Sequence, residues 1–309
     1  YFNQIPRLHC DSYGHVAPHN QWKSGNIARN VLLSLWRLGN DHLDERTFVG
    51  AFRNAAYIAT QFKPHVAKFI YDVTNAKTVF DSSCGWGDRL AGFFCSNAKE
   101  YYGCDPNPST FKMYMEQCAE YINIMGEQGN WTVLDNMFVV ESETKKVTIW
   151  RCPAEDLDFR QLPPIDVAFT SPPYFSTELY NSGGDFEGDQ SWARYDTYEK
   201  WRDYFYLPVN HSTFECLSDN GLLMVNIQDP KIFNKRYYAS DDLIDSMLAT
   251  YPECSFIGNL GMRMMQRAKK MDAQASKEHF EKIYIEPIWV FGKNREHFIK
   301  KDDGLLAFL

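Results

Sequence analysis

Eight cysteines are spread through 309 residues without one C-x-x-C pair. Thiolate metal sites need such pairs and disulfide scaffolds need dense Cys in short chains, so neither class fits. Reduced thiols in a cytosol-like compartment are expected, several of them acting as small buried hydrophobes. No apolar run approaches the ~18–20 residues that span a bilayer, and no signal-peptide pattern opens the chain. Location is therefore expected to be cytoplasmic, or nuclear in a eukaryotic source. The first residue is Tyr1 rather than Met, so a longer N-terminus is expected. Positive charge is short: 32 Lys and Arg face 40 Asp and Glu, a net charge of −8. Affinity for phosphate backbones comes from clustered Lys and Arg, so a whole-surface polyanion binder is disfavoured, while a local basic cleft stays open. G-x-S-x-G, Walker-type and H-E-x-x-H strings are missing, and His9, His15, His19, His65 and His211 lack metal-like spacing. No metal is expected.

Aromatic residues are plentiful at 16%, and hydrophobic residues make up 44% of the chain. A native-size core is available, which excludes a disordered or low-complexity chain. Residues 1–20 carry Pro6, Gly14 and Pro18 without periodicity and read as an irregular arm. Ile27, Val31, Leu32, Leu35 and Leu38 recur at helical spacing up to a Gly39-Asn40 cap. A second helix is expected over 44–60, and a third over 65–72, started by Pro64. After Lys77 strands at 78–81, 101–104, 147–150, 167–170, 222–227, 255–260 and 283–291 alternate with helices at 88–96, 109–125, 195–217 (kinked at Pro208) and 241–249. That alternation predicts crossover units and a mostly parallel sheet. The expected architecture is one doubly wound α/β domain over 61–309, with an arm and helical cap over 1–60.

Two strand ends carry chemistry. The first strand runs into Asp81-Ser82-Ser83-Cys84-Gly85-Trp86-Gly87 and then a helix. Gly85 and Gly87 let the backbone approach a ligand and adopt dihedrals that side chains forbid. The helix behind them presents unpaired N–H groups, and Asp81 is placed to meet a positive group. The next strand, Tyr101-Tyr102-Gly103-Cys104-Asp105, ends in a carboxylate about 20 residues beyond the glycines, where nucleoside-binding folds accept from both ribose hydroxyls. Leu90 stands where G-x-G-x-x-G would need its third Gly, so a nucleoside without phosphates is expected in preference to NAD. A bare tight turn is the plain alternative.

The second is Ile165-Asp166-Val167-Ala168-Phe169-Thr170-Ser171-Pro172-Pro173-Tyr174, a strand stopped by two prolines that fix φ and remove two donors. A Ser hydroxyl, a free carbonyl and an aromatic ring follow one another at the sheet's carboxyl edge. A planar ligand with an NH₂ group matches them: Ser171 Oγ and the Pro172 carbonyl accept the amino hydrogens while Tyr174 stacks on the ring. Here the plain alternative is a rigid turn with an exposed Tyr.

With both constellations in one chain, the sequence resembles the S-adenosylmethionine-dependent methyltransferases that modify exocyclic amino groups of DNA bases. Asp81-Ser-Ser-Cys-Gly-Trp-Gly87 is similar to their D-x-x-x-G-x-G cofactor loop, which includes Ser83 and Cys84. Asp105 is similar to their ribose-binding acid, and Ser171-Pro172-Pro173-Tyr174 to their [S/D/N]-P-P-[Y/F/W] catalytic motif. Phe62-Lys63-Pro64 resembles the segment that closes over the cofactor's methionine end. Arg151-Cys152-Pro153-Ala154-Glu155-Asp156 resembles the adenine-side loop. The resemblance covers roughly 60–230 and implies a Rossmann-like methyltransferase sheet of about seven strands, S-adenosylmethionine as cofactor, and DNA as partner with RNA as an alternative. It also implies cytosine-N4 in preference to adenine-N6, from Ser171. Ser82-Ser83 replace the usual Pro-Phe, which suggests a divergent branch.

No long insertion resembles a target-recognition domain. Segments 175–195 and 262–280 remain for reading a target, and Arg263, Arg267, Lys269 and Lys270 are candidates for holding phosphates, against a solvated helix face. The acidic loop with Asp185, Glu187 and Asp189 reads as a lid or disordered, and Asp88-Arg89 as a helix-start acid with an ion partner, near the cofactor's amino-acid end. A non-catalytic nucleic-acid-binding subunit keeping the fold is the rival from another class; retention of Gly85, Gly87, Asp105 and Ser171–Tyr174 together argues against it.

Overall fold

In the computed structural model, which describes residues 2–12, 16–37, 44–56, 58–232, 234–264 and 284–294, the alternation after Lys77 becomes one large sheet. Its strands, in chain order, are β1 Thr78–Asp81, β2 Glu100–Cys104, β3 Asn130–Val133, β4 Met137–Glu141, β5 Lys146–Trp150, β6 Ile165–Thr170, β7 Leu217–Asn226, β8 Cys254–Met264 and β9 Tyr284–Lys293. Across the sheet they lie in the order β8-β9-β7-β6-β1-β2-β5-β4-β3. The central five, β7-β6-β1-β2-β5, are parallel, whereas β9 runs antiparallel to both of its neighbours. The expected seven strands become nine because β3 and β4 add a hairpin to the β5 edge. β3 is almost wholly exposed and has no apolar alternation for a pattern to find.

Successive residues of the central strands enter opposite cores, which is why they read as unbroken apolar runs. Val79, Tyr101, Val167, Phe169, Leu222 and Met224 pack on one side, while Phe80, Tyr102, Ala168, Leu223 and Val225 pack on the other. Helices α3 Pro64–Val73, α4 Asp88–Phe94 and α5 Pro108–Ile124 cover the first face. Helices α6 Leu207–Glu215 and α7 Ala239–Thr250 cover the second, with Trp201 and Phe205 from the turns before α6. The helix expected over 195–217 is broken into Ser191–Arg194, Tyr198–Trp201, a five-residue π-turn and α6. Pro208 has no N–H for the Tyr204 carbonyl four residues back, and that carbonyl accepts from Tyr195 Oη at 3.3 Å instead.

Helices α1 Asn26–Arg37 and α2 Glu45–Ala55 share a small separate core of Ile27, Val31, Leu35, Ala51 and Ala56. The cap expected at Gly39-Asn40, and Leu38, lie outside the described residues. The arm is not irregular. It holds short helices Gln4–Leu8 and Pro18–Lys23, too brief to show periodicity, and Asp11–Ser12 pairs antiparallel with Glu178–Leu179. Asn3 Nδ2 donates to the Trp86 carbonyl at 2.7 Å, and Arg7 donates to the Ala59 carbonyl at 2.7 and 3.0 Å. Among the described residues, no helix is long and apolar enough to cross a membrane.

Candidate active site

From β1 the chain steps outward through β2 to β5 and then returns to β6 on the other side of β1, which opens a crevice at the strands' carboxyl ends. Ser82 Oγ donates to Thr170 Oγ1 at 3.1 Å across that switch point. Above it lies a cavity of about 360 Å³, within the usual range for ligand sites. Of the residues expected there, Ser83, Cys84, Gly85, Asp105, Ala154, Glu155, Ser171, Pro173 and Tyr174 line it. Lys63, Pro64, Asp81, Gly87 and Pro172 do not line it.

Asp81, Gly87 and Lys63 are each engaged inside the protein. Asp81 meets its positive group inside the protein: Arg89 Nε sits 2.8 Å from Oδ2 and Nη2 3.2 Å from Oδ1, and Tyr101 Oη donates to Oδ2 at 2.9 Å. Both members of the pair are buried, at 0% and 4% exposure. Arg89 Nη2 also donates to the Ser83 carbonyl, so the pair braces the glycine loop from below. Gly87 precedes α4 at φ +77°, and a Cβ there would meet Gln117 Oε1 at 2.2 Å; its part is packing against α5. Lys63 Nζ donates to the Arg263 carbonyl.

Asp105 Oδ2 accepts from the Gly85 N–H at 2.9 Å, and Oδ1 accepts from the Asn107 N–H at 3.0 Å and Thr110 Oγ1 at 3.2 Å. The acid therefore shapes the loop as well as facing the cavity. Burial pushes its carboxyl up to about 6, against those donations. Asp88 does not pair with Arg89, which is turned to Asp81. It lines the cavity, accepts from Gln61 Nε2 at 3.4 Å, and burial pushes it to about 6 as well.

A buried carboxylate raised in this way holds a proton that the unfolded chain has released, so stability is lost as pH climbs through the folded value. Asp88→Asn is therefore expected to gain stability over the wild type as pH rises from about 4 to about 7, and to match it below pH 4. Urea midpoints at the two pH values check this; a constant difference would locate the perturbation elsewhere.

Four buried side-chain atoms on the cavity wall have no hydrogen-bond partner: Asp88 Oδ2, Glu155 Oε2, Gln190 Nε2 and Ser191 Oγ. Buried polar atoms rarely stay unpartnered, so these four are hydrogen-bonding groups the wall holds available to a ligand. Among the described residues, charge on the wall is mostly of one sign. Asp88, Asp105, Glu155, Glu178, Asp189 and Glu286 are carboxylates, of which Glu155 pairs with Arg194 at 2.7 Å, and the cation Arg89 is paired with Asp81. Such a wall suits a cationic ligand and repels phosphate.

Sequence reasoning missed Glu286, Glu178, Gln190 and Ser191. The signal for Glu286 was a lone acid in the otherwise apolar run Ile285-Glu286-Pro287-Ile288-Trp289-Val290. Part of segment 175–195 forms cavity wall: Thr177, Glu178 and Tyr180, then Asp189 to Ser191, and Tyr180 meets Trp86 edge-on at 5.6 Å. The acidic loop makes a turn at Glu187–Asp189 and brings Asp189 to the wall. Arg263 is exposed on β8, while Arg267, Lys269 and Lys270, with most of 262–280, lie outside the described residues.

No family model matches the chain, and no curated protein matches it. Solved structures do. A SAM-dependent O-methyltransferase from Thermotoga maritima is 12% identical over 76% of this chain and 67% of its own, with a TM-score of 0.40. Trm1 from Pyrococcus horikoshii, solved with S-adenosyl-L-methionine, is 11% identical over 76% and 56%, at 0.47. Precorrin-6y C5,15-methyltransferase from Geobacter metallireducens is 10% identical over 74% and 87%, at 0.37.

Proposed function

We propose that the protein is an S-adenosylmethionine-dependent methyltransferase acting on the exocyclic amino group of a nucleobase in DNA, with cytosine N4 as the target. One observation carries the reading: a single acid-lined cavity at the switch point is lined by Asp105 together with Ser171 and Tyr174. The residues fit the cofactor. Asp105 accepts from ribose hydroxyls, and Asp88 Oδ2, buried without a partner, suits an α-ammonium. Glu155, Gln190 and Ser191 offer unpartnered polar atoms to a purine edge. When bound, S-adenosylmethionine supplies an electrophilic methyl group on a cationic sulfur.

The chain's own residues then prepare the nucleophile. An exocyclic nitrogen is weak because its lone pair is delocalised into the ring. Ser171 Oγ accepting one of its hydrogens localises that pair and stabilises the charge that develops. Pro172 is buried behind the wall, so the second acceptor passes to Asn226, which lines the cavity; its Nδ2 donates to the Pro287 carbonyl at 2.9 Å, which leaves Oδ1 to accept. Tyr174 walls the flipped base in position for in-line attack. Arg263, with the basic run beyond it, is proposed to hold flanking phosphates outside the acidic cavity.

The test is transfer of tritiated methyl from the cofactor to DNA and to RNA, followed by nucleoside mass spectrometry. Label in N4-methylcytosine of DNA is the expected result. Label confined to N6-methyladenine or to RNA would move the target, and no label in either polymer would remove the reaction.

A further inference from the structure

Because β9 runs antiparallel to the central strands, its first residues arrive at the carboxyl edge where the parallel strands end. That brings Glu286 onto the cavity wall beside Tyr174. Tyr174 Oη donates to Glu286 Oε1, lies 3.1 Å from the Asn226 carbonyl, and stands 3.4 Å from Ser171 Oγ. A phenol has one hydrogen, and a carboxylate is a stronger acceptor than a neutral carbonyl. The hydrogen therefore goes to Glu286, and a lone pair of Tyr174 Oη faces the Ser171 hydroxyl. The Ser171–Tyr174 gap is longer than an ordinary O–H···O bond of about 2.7–2.8 Å; catalytic hydrogen bonds often tighten only when substrate binds.

We propose that Ser171, Tyr174 and Glu286 form a proton relay that removes the hydrogen displaced when the amino nitrogen gains its methyl group, with Glu286 as the terminal acceptor. The relay rests on the methyl-transfer reading above. The nitrogen–carbon bond forms as the sulfur–carbon bond breaks, and the product nitrogen carries a positive charge and one hydrogen too many. That N–H bond breaks as an O–H bond forms on Ser171. The hydrogen Ser171 held moves to Tyr174 Oη, and the hydrogen of Tyr174 moves to Glu286. Positive nitrogen and negative carboxylate are both neutralised, and Glu286 then releases its proton to water in the cavity. The same chain directs the Ser171 hydrogen at Tyr174 beforehand, so the Ser171 lone pairs face the amino group.

The surroundings of Glu286 suit an acceptor. Burial, foremost, and the Glu178 carboxylate push its carboxyl above the usual range, while the Tyr174 hydrogen bond and Lys63 oppose the rise. Tyr174 itself is held well above the ordinary phenol value, chiefly by burial and then by Glu286, with Arg89 opposing, so it passes a hydrogen on rather than parting with it as an anion.

The test compares Glu286→Gln, Tyr174→Phe, their double variant and Glu286→Asp with the wild type in methyl transfer across pH, alongside cofactor affinity by calorimetry. Glu286→Gln and Tyr174→Phe are each expected to slow kcat about 10²-fold, at the low end for a positioned acid–base group. Each should lose the acidic limb of the kcat profile, and the double variant should be no slower than either alone. Glu286→Asp should restore the limb in part, and cofactor affinity should stay within about twofold throughout. A Glu286→Gln enzyme with wild-type kcat and an unchanged acidic limb would overturn the relay alone. A wild type that binds cofactor yet methylates neither DNA nor RNA would overturn the reaction itself, before any variant is compared.

Discussion

Arg89→Met is expected to cost about 3–5 kcal/mol of stability, the usual consequence of leaving one member of a buried ion pair unpartnered. Asp81 is wholly enclosed, and Arg89 supplies two of its hydrogen bonds. Removal of the guanidinium leaves Tyr101 Oη and the Ser83 N–H as its donors, with no charge to balance it. A shift of the urea midpoint at unchanged slope reads the loss. The double variant Asp81→Leu/Arg89→Met removes both charges and should recover much of it, since apolar replacement of a whole buried pair is often neutral. A single variant as stable as the wild type would show that the pair braces nothing.

Asp105→Ala is expected to weaken S-adenosylmethionine binding at least about 100-fold. Two hydrogen bonds from ribose hydroxyls to a carboxylate are worth about 1.5–3 kcal/mol each, and about 1.4 kcal/mol is a factor of ten. The substitution also frees the Gly85 and Asn107 N–H groups that the acid now holds, so the loop loses shape along with its acceptor. Because burial pushes Asp105 up to about 6, wild-type affinity should rise with pH through that value, whereas the affinity of Asp105→Asn should rise less steeply, the remaining rise coming from Asp88. Calorimetry at pH 5 and 7.5 decides; parallel behaviour of the two proteins would take the acid out of the binding site.

The crevice was legible because its parts are local. Gly85, Asp105, Ser171, Pro173 and Tyr174 each follow closely on a strand, and strand ends in a parallel sheet converge. What was illegible was which neighbour each side chain would choose. Asp81 and Arg89 are eight residues apart and on different elements, so the pattern offers the acid to a ligand as readily as to the protein. Glu286 enters only because the last strand is reversed, and a strand's direction is a property of the whole sheet. Tyr174 was legible as an aromatic wall, but its anchoring to Glu286 bridges 112 residues. The arm failed for a different reason: five- and six-residue helices and a two-residue strand are too short for any period to register.

The position of β9 between β7 and β8 also fixes an order of events during synthesis. β8 leaves the ribosome about thirty residues before β9 is complete, yet β9 is its neighbour in the sheet. At roughly 5–20 residues per second, β8 waits seconds with its backbone donors and acceptors open, the condition in which strands pair with the wrong chain. When β9 arrives it fills the gap beside β7 and gives β8 its partner in one step. Met262 and Met264 from β8 and Glu286 from β9 join the cavity wall in that same step. The cavity wall is then completed last and all at once, around loops made long before.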